Sequence, residues 1–69
     1  MGASETVAKR IAALRKERGY TQDRLGAESG FSGTYIGFVE QGKKKPTLPT
    51  LEKIAKGLRV SLEDLFKDL

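Results

Sequence analysis

Apolar residues recur with helical spacing along nearly the whole chain. In the first segment Val7, Ile11 and Leu14 are spaced i, i+4 and i+7, which places them on one face of a helix. Ser4 can cap the start of this helix, so we predict that it covers about residues 5–18. No segment alternates apolar and polar residues for long enough to form a strand.

Capping residues divide the rest of the chain into four more short helices. Thr21, Ser32, Thr47 and Ser61 each precede a segment of helical spacing, where a side-chain oxygen can cap a helix. The predicted helices cover 22–28, 32–41, a segment from Leu48 to Leu58 and a segment from Leu62 to Leu69. Since only about four residues separate the second and third helices, these two must cross sharply. The sequence therefore predicts an all-α fold of five helices.

Residues 21–42 have the spacing that two crossing helices require. The first helix needs a small residue where the second presses on it, and the turn needs a residue that tolerates positive φ. Gly26 and Gly30 meet these needs. The apolar contacts within the pair are predicted to come from Leu25, Phe31, Ile36 and Val39.

The charge of the chain is one-sided. Among 69 residues, 13 Lys and Arg stand against 9 Asp and Glu, giving a net charge of +4. The basic excess lies in the first two thirds and ends at Lys43, Lys44 and Lys45, whereas residues 46–69 are neutral. Such a distribution is typical of a polyanion-binding face, although the charge alone leaves a solvated surface open.

Composition excludes several kinds of site. The chain has no Cys and no His, so it lacks thiolate and imidazole metal ligands, a cysteine nucleophile and a histidine base. No apolar run approaches the ~20 residues of a spanning helix. We expect one cytoplasmic domain over 1–69, with 1–4 frayed, that is not an enzyme and uses no cofactor, metal, membrane or small-molecule ligand. Met1, Gly2 and Thr6 match a sparse myristoylation pattern, but a frayed terminus is the expected explanation.

A set of motifs in consistent register carries a family resemblance. They are Leu14-Arg15, Gly19-Tyr20-Thr21-Gln22, Leu25, Gly30-Phe31-Ser32, Tyr35-Ile36, Val39-Glu40, Gly42-Lys43, Pro46, Thr50-Leu51, Ile54-Ala55, Leu58, Val60-Ser61-Leu62 and Leu65-Phe66. Through them, residues 7–67 resemble the helix-turn-helix family of phage repressors and Cro-like bacterial regulators, whose domains have a λ-repressor-like fold. Thr34-Tyr35-Ile36 with Val39-Glu40 looks most like the controller proteins of restriction-modification systems.

The resemblance implies a DNA-binding role for residues 21–45. The helix over 32–41 is expected to lie in the major groove, with the helix over 22–28 crossing the DNA backbone. Phosphate and sugar contacts are implied for Thr21, Gln22, Ser32, Tyr35, Lys43, Lys44 and Lys45. Base-edge contacts are implied for Gly33, Thr34, Gly37 and Phe38. Each polar member also has a structural interpretation, as a helix cap or a solvated side chain.

Departures from the family pattern qualify this interpretation. The predicted base-reading face holds few hydrogen-bond donors, so Thr34 and Phe38 are expected to make the direct contacts while glycine lets the backbone approach DNA closely. Arg24 replaces a common acid and is expected to add positive charge near the DNA backbone. Arg59 takes a place where Gly often ends a helix, so either its backbone is strained or the helix ends elsewhere.

Two functions are compatible with these expectations. The first is a sequence-specific regulator of transcription that binds double-stranded DNA as a homodimer, with Leu62, Phe66 and Leu69 of the last helix as the dimer interface. The second is an antitoxin-like or adaptor module that binds protein through Phe38 on the same fold. In either case Arg15 and Glu40 match family positions that pair as a structural salt bridge.

Overall fold

The structure, a computed structural model, describes residues 3–67 and contains helices throughout that range. The elements are α1 (Ala3–Glu17), α2 (Gln22–Ser29), α3 (Gly33–Glu40), α4 (Leu48–Leu58) and α5 (Leu62–Leu65). Between residues 3 and 67 there is no strand. The predicted all-α fold of five helices is therefore confirmed.

The two ends of the chain differ from the predicted boundaries. Helix α1 begins at Ala3, so the backbone of Ser4 lies within the helix and does not precede it. Ala and Glu favour helix, and a helix N-terminus can bond water in place of a capping side chain. Residues 1 and 2, part of the segment expected to be frayed and of the myristoylation pattern, lie outside the described residues. At the other end α5 closes at Leu65 with Phe66 as its C-cap, and Leu69 lies outside the described residues.

The four predicted N-caps of α2 to α5 are confirmed. In each case the hydroxyl accepts a hydrogen bond from the backbone N–H three residues later, as capping residues do. The donor–acceptor distances are 3.0 Å at Thr21, 3.0 Å at Ser32, 3.4 Å at Thr47 and 3.3 Å at Ser61.

The N-terminus of α5 has a reciprocal cap. The backbone N–H of Ser61 donates to Asp64 Oδ2 at 3.0 Å, while Asp64 N–H donates to the Ser61 hydroxyl. The hydrogen bond from the Ser61 backbone, followed by that from its hydroxyl, holds the pKa of Asp64 below its usual range. A four-residue helix gains a fixed starting point in this way.

Every helix contributes to one apolar core. The largest side chains that are almost completely buried are Ile11, Leu25, Ile36, Val39, Ile54, Leu58 and Leu65. Tyr20, Phe31, Tyr35, Val60 and Leu62 pack against this core and stay partly exposed. Since full burial of such a side chain contributes roughly 1.5–3 kcal/mol, these contacts fix the positions of α2 and α3 on the rest of the fold.

The crossing of α2 and α3 depends on a close backbone approach. A Cβ on Gly26 would lie 2.7 Å from the carbonyl oxygen of Phe31 and 2.7 Å from the carbonyl carbon of Ser32. Gly30, in the turn, has φ +84°, in the left-handed region. The sequence-based interpretation of both glycines is confirmed.

A second close approach, between α2 and α4, was not predicted. A Cβ on Gly57 would lie 3.1 Å from Ser29 Cβ. The Ser29 hydroxyl is buried and donates to the carbonyl oxygen of Leu25 at 2.6 Å, so its polar group is satisfied inside the contact. Helix α2 therefore packs against α4 in addition to α3.

Helix α4 ends at Arg59, so of the two interpretations of this residue the structure supports a strained backbone. Arg59 is the C-cap, with φ 60° and ψ 40°, and it is the only non-glycine residue with positive φ in the part of the chain that the structure describes. We expect Arg59→Gly to raise the free energy of unfolding by about 0.5–1 kcal/mol, because glycine adopts this conformation without a steric penalty. Urea denaturation followed by circular dichroism measures the change.

A glycine at a helical position provides the control for that substitution. Lys56→Gly, inside the last turn of α4, is expected to lower stability by about 1 kcal/mol. If both substitutions destabilise the protein equally, the backbone at Arg59 is not strained.

Candidate nucleic-acid interface

Helix α3 has a buried face and an exposed face. Ile36 and Val39 are buried in the core, whereas Thr34 and Phe38 are exposed, with 39% of Phe38 accessible to solvent. The exposed face therefore carries one hydroxyl and one aromatic ring. This arrangement agrees with the sequence-based expectation of a surface with few hydrogen-bond donors.

The two glycines of α3 are less exposed than expected. A Cβ on Gly33 would clash with Asp23, whose Cα would be 2.9 Å away, and a Cβ on Gly37 would lie 3.3 Å from Gln22 Oε1. Gly37 is buried and Gly33 is half-buried. The expectation that both glycines form an open surface for DNA is therefore corrected, because the first turn of α2 lies across them. Side chains of α2, rather than bare α3 backbone, form this part of the surface.

Gln22 connects the start of α2 to the end of α3. Its side chain is exposed, and Nε2 donates to Glu40 Oε1 at 3.1 Å. Because the first backbone N–H groups of a helix have no intrahelical acceptor, this end of α2 is suited to an anion such as phosphate. Gln22 thus stands where α2 and α3 together can meet a DNA backbone.

An ion pair lies directly behind Gln22. Arg15 Nε is 2.6 Å from Glu40 Oε2, and Arg15 Nη2 donates to Glu40 Oε1 at 3.1 Å. The side chains of Arg15 and Glu40 are only 11% and 7% exposed. Arg15 Nη1 also donates to the carbonyl oxygen of Tyr20 at 2.8 Å. The structure thus joins the two residues that the family resemblance pairs, and ties α1, the α1–α2 loop and α3 together.

A lysine loop follows α3. Its lysines, Lys43, Lys44 and Lys45, are all exposed. The backbone N–H groups of Lys43 and Lys44 donate to the carbonyl oxygen of Phe38 at 2.9 and 3.3 Å, which folds the loop back on the end of α3. The lysines therefore extend from a loop that is anchored to the last turn of α3.

Ser32 and Tyr35 occupy the start of α3. The Ser32 side chain is exposed and accepts from the backbone of Tyr35, while its own hydroxyl proton remains available to donate. Tyr35 is half-buried, with its ring centroid 4.9 Å from that of Phe31. The structural role of Ser32 as a cap is thus present together with an exposed polar atom.

Arg24 has local partners that sequence reasoning missed. Its Nε lies 2.8 Å from Glu28 Oε2, and its guanidinium carbon is 4.9 Å from the centroid of the Tyr20 ring. The spacing of Arg24 and Glu28 on one helix is a signal that could have indicated the pair. Arg24 is therefore held along α2 and is not a free charge.

The predicted dimer residues lie at the end of the described chain. Phe66 is 37% exposed, Leu62 is half-buried against the core, and Leu69 lies outside the described residues. Phe66 also lines an apolar cavity of about 210 Å³ together with Val7, Ala8, Val39, Lys45, Pro46 and Leu51. Sequence reasoning did not predict that the apolar side chain of Leu48 is 54% exposed.

Neither a metal cluster nor a membrane-spanning helix lies among the described residues. Residues 3–67 contain no group of three His, Cys, Asp or Glu side chains placed to hold a metal ion. None of the helices in that range is both long enough and apolar enough to cross a membrane.

Comparisons with known proteins establish the family. The helix-turn-helix family profile matches residues 11–65. An uncharacterised transcriptional regulator of this type from Sinorhizobium fredii is 40% identical over 65 residues, covering 94% of this chain and 84% of that protein. The immunity repressor of Bacillus phage phi105 is 39% identical over 57 residues, covering 83% of this chain and 40% of that protein.

Solved structures agree with these matches. The restriction-modification controller protein C.AhdI from Aeromonas hydrophila has a TM-score of 0.87 and 31% identity, covering 90% of this chain and 94% of that one. The fold and these matches thus define a DNA-binding transcriptional regulator. The chain belongs to the helix-turn-helix family, whose members similar to it include phage repressors and restriction-modification controllers.

The ion pair behind Gln22 generates a prediction about stability. We expect Arg15→Met to lower the free energy of unfolding by about 3 kcal/mol, because it leaves the nearly buried carboxylate of Glu40 without a cation. Urea denaturation measures the loss. Arg24→Met, which removes the exposed pair with Glu28, serves as the control and is expected to change stability little. Equal losses in the two variants would contradict a structural role for Arg15.

Proposed function

We propose that this chain is a homodimeric, cytoplasmic, non-enzymatic regulator that binds a specific double-stranded DNA sequence through α3 in the major groove. The unit that does so is the single domain over 1–69, with the helix-turn-helix at 21–42. The observation that supports the proposal is that two elements suited to phosphate contact adjoin α3, whose Thr34 and Phe38 are exposed. Gln22 at the start of α2 donates to Glu40, and the backbone of the lysine loop donates to the carbonyl oxygen of Phe38.

Phosphate contacts supply most of the affinity in this proposal. The first turn of α2, with Thr21 and Gln22, offers backbone and side-chain N–H groups, and Ser32 and Tyr35 offer hydroxyls. Lys43, Lys44 and Lys45 add three cations that lie close to the flanking phosphates. Contacts of this kind orient the protein on the duplex and carry no sequence information.

Base readout falls to Thr34 and Phe38. The Thr34 hydroxyl can bond a base edge, and the Phe38 ring can contact a thymine methyl group. With Gly33 and Gly37 covered by α2, their contribution is to let α2 sit close to α3. The remaining selectivity is assigned to the shape and deformability of DNA.

Dimerisation is assigned to the end of the chain. Leu62, Phe66 and Leu69 form the proposed interface, for which the exposure of Phe66 beside an apolar cavity is the support. A two-fold dimer would place two α3 helices in half-sites about one helical turn apart, roughly 34 Å. Selection of bound duplexes from a random pool, with the mass of the protein measured in parallel, tests this proposal. A paired half-site and a dimer mass are expected.

One result would favour the alternative function. If the selection yields no enriched sequence at moderate salt and a protein partner is lost on Phe38→Ala, the chain is a protein-binding module on the same fold.

Reversing the charge of the lysine loop tests the phosphate contacts. The triple substitution of Lys43, Lys44 and Lys45 to Glu is expected to weaken binding to all duplexes alike. It should reduce the slope of log K against log salt by about 3, since each phosphate contact contributes about 0.9. Fluorescence anisotropy at several salt concentrations measures both effects. The control is Lys56→Glu on α4, for which a much smaller change in slope is expected. An unchanged slope in the triple variant would contradict the assignment.

Removing the hydroxyl of Thr34 tests base readout. Thr34→Ala is expected to relax preference at one or two base positions by about three- to tenfold, because one hydrogen bond to a base edge is lost. Repeating the selection with the variant measures the change. The salt slope serves as an internal control and should stay constant, since no charge changes. An identical selected sequence would show that Thr34 reads no base.

A further inference from the structure

The side chain of Gln22 lies flat against α3. Its carboxamide covers Gly37, where an added Cβ would lie 3.3, 3.5 and 3.6 Å from Oε1, Nε2 and Cδ. These three atoms are the nearest to that Cβ position, and all belong to Gln22. At the end of α3, Nε2 donates to Glu40. Gln22 is thus an exposed side chain that the fold nonetheless holds in one place.

We infer that Gly37 and Glu40 are positioning residues, which set the carboxamide of Gln22 in the orientation that a phosphate contact needs. This inference rests on the proposed function, because it assigns Gln22 a DNA contact. It goes further by assigning a role in binding to two residues that do not themselves touch DNA.

Hydrogen-bond chemistry explains the role of Glu40. A carboxylate only accepts hydrogen bonds, so it selects the carboxamide orientation with Nε2 toward Glu40. One N–H of Nε2 is used in that bond, and the second remains as a donor. Phosphate oxygens also only accept, so the selected orientation is the one that can serve them. Glu40 itself cannot turn away, since both its oxygens are bound by Arg15.

Steric space explains the role of Gly37. Glycine weakens the middle of a helix relative to alanine, so its presence in α3 needs a reason. For Gly26 the reason is the crossing of α2 and α3, where backbone atoms occupy the space of a Cβ. Over Gly37 the nearest atoms belong to the exposed side chain of Gln22, so an added methyl group would press on that side chain and not on core backbone. The glycine therefore preserves the placement of Gln22 and not the packing of the core.

A double-mutant cycle separates this role from a direct contact between position 37 and DNA. Gly37→Ala, Gln22→Ala and the double variant are compared with the unsubstituted protein on the selected duplex, by fluorescence anisotropy and thermal unfolding. Gly37→Ala is expected to melt no lower than the unsubstituted protein, because alanine favours helix. It should nevertheless bind DNA about three- to tenfold more weakly, since a well-aligned hydrogen bond to a charged group is lost or lengthened. The salt slope should remain the same, because no charge changes.

The double variant carries the decisive comparison. Once Gln22 is alanine, adding Gly37→Ala is expected to have no further effect on binding. A further loss would mean that the new methyl group meets DNA directly, which overturns the inference. Binding by Gly37→Ala equal to that of the unsubstituted protein overturns it as well.

A spectroscopic measurement on the free protein keeps the two proposals distinguishable. The side-chain NH2 resonances of Gln22 should show one N–H shifted downfield by Glu40, and Gly37→Ala should reduce that shift. If the shift is present and changes as expected but no duplex binds, the proposed function fails while the placement of Gln22 stands. If the shift is absent, the positioning role is wrong even when DNA binds.

Discussion

The ion pair between Arg15 and Glu40 is the contact on which the rest of the DNA-facing surface depends. It joins the end of α1 to the end of α3, and through Tyr20 it also fixes the loop that leads into α2. Because the pair is nearly buried, loss of either partner would leave the other charge buried without compensation. Because Glu40 also accepts from Gln22, the same carboxylate connects the interior of the domain to its surface. The orientation of α2 and α3 relative to α1 is set at this point.

Close backbone contacts set the remaining geometry. Gly26 allows α3 to press on α2, and Gly57 allows α4 to press on α2 from another side. A Cβ on Gly26 would lie within 3.0 Å of backbone atoms, and a Cβ on Gly57 would lie 3.1–3.3 Å from atoms of α2, which is tighter than ordinary contact. Helix α2 is therefore held between two neighbours, and its N-terminus can present donors to a ligand from a rigid support. Preorganisation of this kind reduces the entropy lost on binding.

The sequence predicted those features that arise from local chemistry. Thr21 and Ser61 have capping side chains next to helical segments, and their caps form as expected. Gly26 and Gly30 follow from the needs of two crossing helices, which any tight turn imposes. The start of α1 was placed two residues late, because Ala3 and Ser4 already belong to the helix. Local pattern cannot show where a solvated helix end stops.

The candidate site was less predictable, because its geometry arises from tertiary contacts. The sequence alone placed Gly33 and Gly37 on an open face, since spacing shows which residues share a helix face but not which neighbouring helix covers it. Gln22 was treated as an independent surface residue, and its bond to Glu40 spans a sequence separation that no helical period reports. Arg24, by contrast, pairs with Glu28 four residues along the same helix, which helical spacing could have indicated, and its guanidinium also lies over the Tyr20 ring.

The exposure of Thr34 and Phe38 on α3 has a consequence for the evolution and engineering of this domain. Thr34 and Phe38 lie outside the core, and the neighbours that hold α3 are Ile36, Val39 and Glu40. Substitutions at positions 34 and 38 therefore leave the supporting contacts intact, so a library randomised there would sample new recognition surfaces on an unchanged scaffold. Because α2 covers Gly33 and Gly37, only a small number of positions on this face of α3 can be varied in this way.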